Sequence, residues 1–392
     1  MARKPVGTLE RAVDVADWTD RITATPVLCV GPGWRARVHF YALLAGLVLL
    51  RWATGGRGLR KVARVLAALF GRQHYAVFEV FGNRRMKVLL GDPYWIPPLM
   101  QYGGYEKNVQ HVLQTLLPRN GAFLDCGANV GWWSIFASRI IPMRGSILAL
   151  EACAANYDRL CDNAEINSGA FLPLNAAVWG RTGETLRLRI EDHSTPSVVP
   201  NPEQREAQAR GGSAAFTENG RRRGHHRQRK NVEELVSTIA LDDLVEWHYP
   251  SLDIPFVLKL DVEGAERMAL LGARKLLARN TMVIYEDHGM DPDCQVTQAL
   301  LEAGMAIFYC DDDLRVHRVR DLHAAQAIKR RRDWAYNYVA CRAGTGFYET
   351  LTRLALEQVP IAAPATPTIP ATQPPPQVGL APGAESAPQQ TH

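Results

Sequence analysis

The stretch Phe123-Leu-Asp-Cys-Gly-Ala-Asn-Val-Gly-Trp-Trp-Ser134 leaves this chain few ways to fold. An apolar start, a carboxylate, two glycines four apart and then a helical pattern spell strand, tight loop, helix. Gly127 and Gly131 tolerate positive φ and let backbone come close to a ligand. Asp125 falls at the carboxyl end of the strand, where open α/β sheets bind their ligands. Ile135, Phe136 and Ile140 give the following helix a buried stripe. Phosphate-binding readings fail here. Asn129 and Trp132 stand where the second and third glycines of a dinucleotide fingerprint belong, and no lysine follows Gly131 as a P-loop needs. What remains is an acidic loop suited to a ligand with an ammonium and a sulfonium, or else an ordinary strand-to-helix turn.

Two later stretches decide between these. Ser146-Ile-Leu-Ala-Leu-Glu151 reads as a second strand ending in a carboxylate, 20 residues after Gly131. A carboxylate placed there in a βαβ unit accepts hydrogen bonds from ribose hydroxyls. Pro255-Phe-Val-Leu-Lys-Leu-Asp-Val-Glu-Gly-Ala-Glu266 is a further buried strand running into acids, a glycine and a helix. On the Asp-x-Gly-Ala-Asn-x-Gly loop, Glu151 and Leu-Lys-Leu-Asp-Val-Glu-Gly-Ala-Glu, the chain resembles the FkbM-type S-adenosylmethionine-dependent methyltransferases from about Tyr105 to Arg342. The Lys-x-Asp-x-Glu-Gly-x-Glu segment is the most specific part of that match.

The resemblance implies an α/β fold, a Rossmann-like class I methyltransferase sheet of seven mostly parallel strands. The last strand is antiparallel, and helices lie on both faces. It implies S-adenosyl-L-methionine as cofactor, held by Glu106, Asp125, Gly127, Asn129, Gly131, Glu151, Ala177 and Asp261. In the same scheme Tyr105-Glu106 lies near the cofactor and Asn175 to Val178 passes the adenine. For Glu106 an alternative is a favourable acid in the first turn of the next helix. The methyl acceptor is expected to be a hydroxyl on a sugar, lipid or secondary metabolite.

At 392 residues the chain is expected to divide into an N-terminal extension over 1–71, a methyltransferase domain over 72–347 and a disordered tail over 358–392 rich in Pro and Ala. Within the domain, 191–231 is polar, contains Arg221-Arg-Arg-Gly-His-His-Arg-Gln-Arg-Lys230 and is expected to be a disordered insertion. Its charge run is a solvated surface or a site for an anionic partner. Net charge of +5 does not by itself argue for nucleic acid, and no specific nucleic-acid partner is expected. Seven cysteines without a Cys-x-x-Cys pair indicate reduced thiols, no metal site and a cytoplasmic setting. No signal peptide is expected, because the first long apolar run begins at Val38. That run, to Leu50, has basic flanks and falls short of the ~20 apolar residues that span a bilayer. It is either a segment lying in a membrane interface, making residues 38–70 a membrane contact, or a helix that covers the enzyme or a dimer partner.

Acids at the carboxyl ends of three strands, Asp125, Glu151 and Asp261, are costly to gather unless a cation or hydroxyls satisfy them. Asp261 and His288, just beyond the fifth strand, are the candidate catalytic groups, His288 as general base with Glu286 and Asp287 beside it. The bland alternative for His288 is a histidine that only hydrogen-bonds its loop. Gly127→Val is expected to abolish cofactor binding with the fold largely intact. Two other functions stay open: a degenerate membrane-associated binding protein and a nicotinamide-dependent oxidoreductase.

Overall fold

Strands that are apolar on both faces must be covered on both faces, and that requirement sets the architecture. The computed structural model describes residues 13–14, 22–190, 197–199, 232–250, 253–287, 293–330 and 337–356. His288, nearly all of the 191–231 insertion and the 358–392 tail lie outside the described residues.

The first part of the chain holds β1 (Val13–Asp14), β2 (Val27–Val30), α1 (Trp34–Thr54), α2 (Leu59–Phe70), β3 (Tyr75–Val80) and β4 (Arg84–Leu89). Its four strands form an antiparallel sheet in the order β1-β2-β3-β4. Because β2 pairs with β3, the sheet runs across residue 71, and the N-terminal extension is knitted to the chain beyond that point. The structure also makes the apolar run a longer helix than its apolar core, 21 residues, with a left-handed Gly55 as its stop.

Then come α3 (Lys107–Leu116), β5 (Ala122–Cys126), α4 (Trp132–Ala137), β6 (Ile147–Leu150), α5 (Ala154–Ile166), β7 (Leu172–Leu174), β8 (Ala177–Val178), β9 (Thr185–Ile190), β10 (Ser197–Val199) and β11 (Val232–Ile239). The last part holds α6 (Leu241–His248), β12 (Phe256–Leu260), α7 (Glu266–Leu271), α8 (Arg274–Ala278), β13 (Thr281–Glu286), α9 (Gln295–Glu302), β14 (Met305–Cys310), β15 (Val316–Val319), α10 (Leu322–Lys329), β16 (Asn337–Arg342) and α11 (Gly346–Leu356). The main sheet has the order β15-β14-β16-β13-β12-β5-β6-β7. Strands β7, β6, β5, β12 and β13 run parallel, and β16 returns antiparallel between β13 and β14. These are the seven expected strands with the last one reversed, plus β15, which hairpins onto β14 at the edge.

Alternation along the strands feeds two cores. Phe123, Val257 and Ile284 face the layer that includes α3, α4 and α11, while Leu124, Leu258 and Val283 face the one that includes α6 to α9. Two local patterns read differently in the sequence. Phe171 to Val178 reads there as one third strand, yet β7 ends at Leu174, and β8 leaves to pair with β11 in a second sheet. Asn175 makes the break, turning its amide onto the Glu151 carbonyl at 2.9 Å. The apolar stripe Ala269, Leu270, Ala273, Leu276 and Leu277 reads as one helix, yet it splits at Gly272, where a Cβ would overlap the Trp179 carbonyl oxygen, so the chain passes too close to continue straight.

Beneath α1 lies a pair of buried histidines, His39 and His74, with their Nδ1 atoms 3.2 Å apart and His39 stacked on Phe70. Burial, with the neighbouring His74 second, pulls His39 from 6.5 to about 4. Its folded-state value is thus below its unfolded one, so stability is full above the unfolded value and is lost as pH falls towards the folded one. The difference in thermal stability between the wild type and His39→Phe is therefore expected to hold steady above pH 6.5 and to shift against the wild type as pH goes from 6.5 to about 4. Parallel pH profiles for the two proteins would show that this pair does not carry the dependence.

Candidate active site

The loop after β5 is built by backbone. Gly127 and Ala128 both donate to the Leu150 carbonyl, at 3.0 and 2.9 Å, which ties the loop to the end of β6. Gly127, Asn129 and Gly131 take φ of 80°, 52° and 95°, the left-handed region. The glycines serve packing. A Cβ on Gly127 would overlap the Asp261 carbonyl oxygen, and one on Gly131 would press Leu160 Cδ1 at 2.7 Å and Phe171 Cζ at 3.3 Å. The close approach required at Gly127 is therefore to the β12 backbone, and a branched side chain there disturbs the fold as well as the loop.

A cleft opens along the carboxyl ends of β5, β6 and β12. Of the expected residues, Gly127, Asn129, Glu151, Ala177 and Asp261 line it. Gly131 lies outside the lining, as the residue that starts α4. Asp125 and Glu106 sit behind the lining rather than on it.

Glu151 is buried and already works for the protein. One oxygen accepts the Asn129 N–H at 2.8 Å and the other the Cys153 N–H at 2.9 Å, so it joins the glycine loop to the start of α5. Burial raises its pKa to about 7, against the pull of those N–H groups and Asn156. A carboxylate oxygen has more than one lone pair, so both oxygens keep capacity for hydroxyl donors.

The other acids gather round Lys259, an ammonium buried in the middle of β12. Burial alone would push its pKa down, but the carboxylates of Asp261, Glu106 and Asp125 outweigh it and hold the group charged. Lys259 Nζ donates to Asp261 Oδ2 at 2.8 Å. Asp125 accepts the Ser134 hydroxyl at 2.6 Å, and its Oδ1 is buried with no partner among the described residues. Burial pushes the Asp125 carboxyl up, with Lys259 and Ser134 opposing. Glu106 starts α3 with φ of 43° and makes no side-chain cap, so it is not a first-turn acid serving its helix. It is hydrogen-bonded by Tyr105 and Asn337, and its Oε2 is buried without a partner among the described residues. Glu266, the first residue of α7, ties down the loop after β12, its Oε1 accepting the Val262 and Gly264 N–H groups at 3.1 Å each.

An aromatic wall closes the cleft opposite. Trp95 stacks on Trp132 at 5.5 Å, and Tyr105 meets Trp95 at 5.2 Å and Trp133 at 6.4 Å. Trp95 Nε1 donates to Asn129 Oδ1 at 3.1 Å, while the indole N–H groups of Trp132 and Trp133 are buried with no partner among the described residues. Sequence reasoning put Tyr105 near the cofactor and had Lys259 as the head of the Lys-x-Asp motif, but it missed Trp95 and gave Lys259 no role. The wall draws on Trp95, far from the glycine loop, which no local pattern marks. Lys259 had a signal, a lone charge inside a five-residue strand otherwise apolar.

His288 lies outside the described residues. Asp287, its expected neighbour, is fully buried and is held by the Thr297 N–H and hydroxyl and by Lys329 Nζ at 3.1 Å.

The residues fit a ligand that carries positive charge and a ribose. Partnerless carboxylate oxygens stand beside the cleft, a carboxylate ends β6, and Ala152, Ala177, Val178 and Leu188 form an apolar slot. Strand order and this cleft together define a class I methyltransferase. The model of the methyltransferase FkbM domain matches residues 125–308. Methyltransferase sdnD of Sordaria araneosa is 30% identical over 198 residues, 47% of this chain and 73% of that protein. The chain belongs to the FkbM methyltransferase family, and S-adenosyl-L-methionine is its methyl donor. Hexuronic acid methyltransferase AglP of Haloferax volcanii is 27% identical over 202 residues, 51% of this chain and 70% of that one. Among solved structures, precorrin-6y C5,15-methyltransferase of Geobacter metallireducens matches at TM-score 0.33 and 13% identity over 61% of this chain and 89% of that one, too low to add to what the strand order shows. Family membership sets aside the oxidoreductase reading.

Gly127→Ala is expected to lower stability by about 2 kcal/mol or more in chemical denaturation, since the added methyl meets backbone at a positive φ. A change below about 0.5 kcal/mol would mean that the loop relaxes freely away from β12.

Proposed function

We propose that the enzyme methylates a hydroxyl of a sugar-bearing acceptor, with the cofactor lying across the ends of β5, β6 and β12. The supporting observation is that one cleft joins an acid-rich half to an aromatic half. Glu151 takes the ribose hydroxyls, and the slot of Ala152, Ala177, Val178 and Leu188 takes the adenine. Asp125, Asp261 and Glu106 favour the ammonium and sulfonium end. S-adenosylmethionine supplies an electrophilic methyl group with a good leaving group, so the chain's task is alignment and exclusion of water. Trp95, Tyr105 and Trp132 line the cleft and offer flat apolar faces to a sugar ring. Lys259 occupies one oxygen of Asp261, which leaves the other to accept the acceptor's hydroxyl proton. His288 stays a second candidate for that role.

AglP is named for a hexuronic acid, which supports a sugar acceptor. The lining here carries Glu151, Asp261 and Glu263 against Lys259, the one cation lining the cleft among the described residues. That balance disfavours an anionic acceptor. Release of S-adenosylhomocysteine is expected to be faster with a neutral hexoside than with the matching hexuronide. The reverse preference, or no release with either sugar, would overturn the acceptor assignment.

The Glu151 assignment has its own test. If the ionised carboxylate binds the ribose, affinity for S-adenosylmethionine should rise as pH increases through about 7 and then level off. Glu151→Gln is expected to flatten that profile and to weaken binding about tenfold or more in calorimetric titration. A sloping profile retained by the variant would place the titrating group elsewhere.

A further inference from the structure

Helix α1 is apolar on nearly every side, yet the protein covers only one of them. Phe40, Leu43, Leu44 and Leu47 face inward and are buried. On the opposite side Trp34, Val38, Tyr41, Val48, Leu49 and Trp52 recur at helical spacing, with Trp34 69% and Trp52 88% exposed. Helix α2 extends this surface. It packs so close that a Cβ on Gly46 would meet Val62 Cγ1 at 2.8 Å, and Val65 and Leu69 lie exposed at i+3 and i+7 from Val62. Contiguous exposed apolar surface of this kind marks an interaction site.

Charge identifies the partner. From residue 22 to residue 78 the sequence has eight Arg or Lys and no Asp or Glu. Arg35 and Arg37 flank the stripe on α1, and Arg57 and Lys61 flank the turn into α2, all of them exposed. A second copy docked about a two-fold axis would set this wholly basic patch against itself, and like charges across an interface oppose association. An anionic lipid surface meets both requirements, taking apolar side chains at the acyl boundary and arginines among the headgroups. Tryptophans at both ends of the stripe suit the same boundary. At 21 residues α1 is long and apolar enough to cross a bilayer. Spanning would strip Phe40, Leu43 and Leu47 out of the core, so the helix lies in the membrane plane.

We propose that the α1–α2 hairpin docks the enzyme on an anionic lipid surface. The hairpin also touches the chain that walls the cleft. Arg51 donates to the Met100 carbonyl at 3.3 Å, and the Arg60 guanidinium lies 5.7 Å from the centre of the Tyr94 ring, next to Trp95. The surface is separate from the cleft lining, so this inference stands whatever the acceptor is.

The test is co-sedimentation of the full chain with vesicles of phosphatidylcholine plus phosphatidylserine and with vesicles of phosphatidylcholine alone. The full chain is expected to pellet with the anionic vesicles and to be released by salt. A Trp34→Ser, Leu49→Ser, Trp52→Ser triple variant should lose about tenfold or more in apparent affinity, and Arg57→Gln with Lys61→Gln several-fold. Unchanged S-adenosylmethionine binding in these variants checks that they fold. The basic tract at 221–230 would hold vesicles by charge alone, so binding that the triple variant keeps overturns the proposal. Binding that ignores phosphatidylserine overturns it too. So does a dimer in sedimentation equilibrium that the triple variant dissolves, with no vesicle binding by the full chain, which would give the face to a second copy.

Discussion

One ammonium, Lys259 Nζ, stands inside the main sheet facing Asp125, Asp261 and Glu106, and the carboxyl edge of the sheet is arranged around it. Gathering a buried Asp125 with the half-buried Glu106 and Asp261 is costly without compensation, and burying a lone ammonium is no better. Each makes the other tolerable. Removing one partner from such a buried cluster typically costs about 3–5 kcal/mol, because the remaining charges are left uncompensated. The single cation does not balance three acids. Burial raises the carboxyl groups of Asp125 and Glu106 against the pull of Lys259, and one oxygen of each has no partner among the described residues, so a cationic ligand would relieve both.

Strain and hydrogen bonding then fix where that ligand sits. Glu106, Asn129 and Glu263 hold left-handed backbone, uncommon for residues with a side chain, and all three stand on loops around the cleft. Glu151 bridges two of those loops through backbone N–H groups. A group that binds a ligand and also ties the loops arrives preorganised, which reduces what binding must order. The same economy explains Gly127, where the missing side chain lets the glycine loop rest directly on the end of β12.

The N-terminal elements are held by a different interaction. Strand β2 joins β3 through backbone pairing, and α1 seals its inner face against the same core that covers the main sheet. That arrangement commits one face of α1 to the protein and leaves the other free. A helix with a single apolar face would have satisfied the core alone, and the second face is uncovered among the described residues.

The sequence by itself determined the sheet and its acidic edge. Near-continuous apolar strands such as Phe256–Leu260 have to be buried on both faces, and Asp125, Glu151 and Asp261 had to fall where those strands end. Period is a local property, so the strands β5, β6 and β12 and the helix after the glycine loop were legible, while the reversed last strand came only from the family resemblance. Tertiary structure decided what depends on segments distant in sequence. Trp95 meets Trp132 only because the chain before α3 folds over the glycine loop. Gly272 breaks a helix only because Trp179 passes beside it. Whether the apolar run at 38–50 is core or surface also had no local answer, since a side chain's chemistry states that it avoids water and only packing states what covers it.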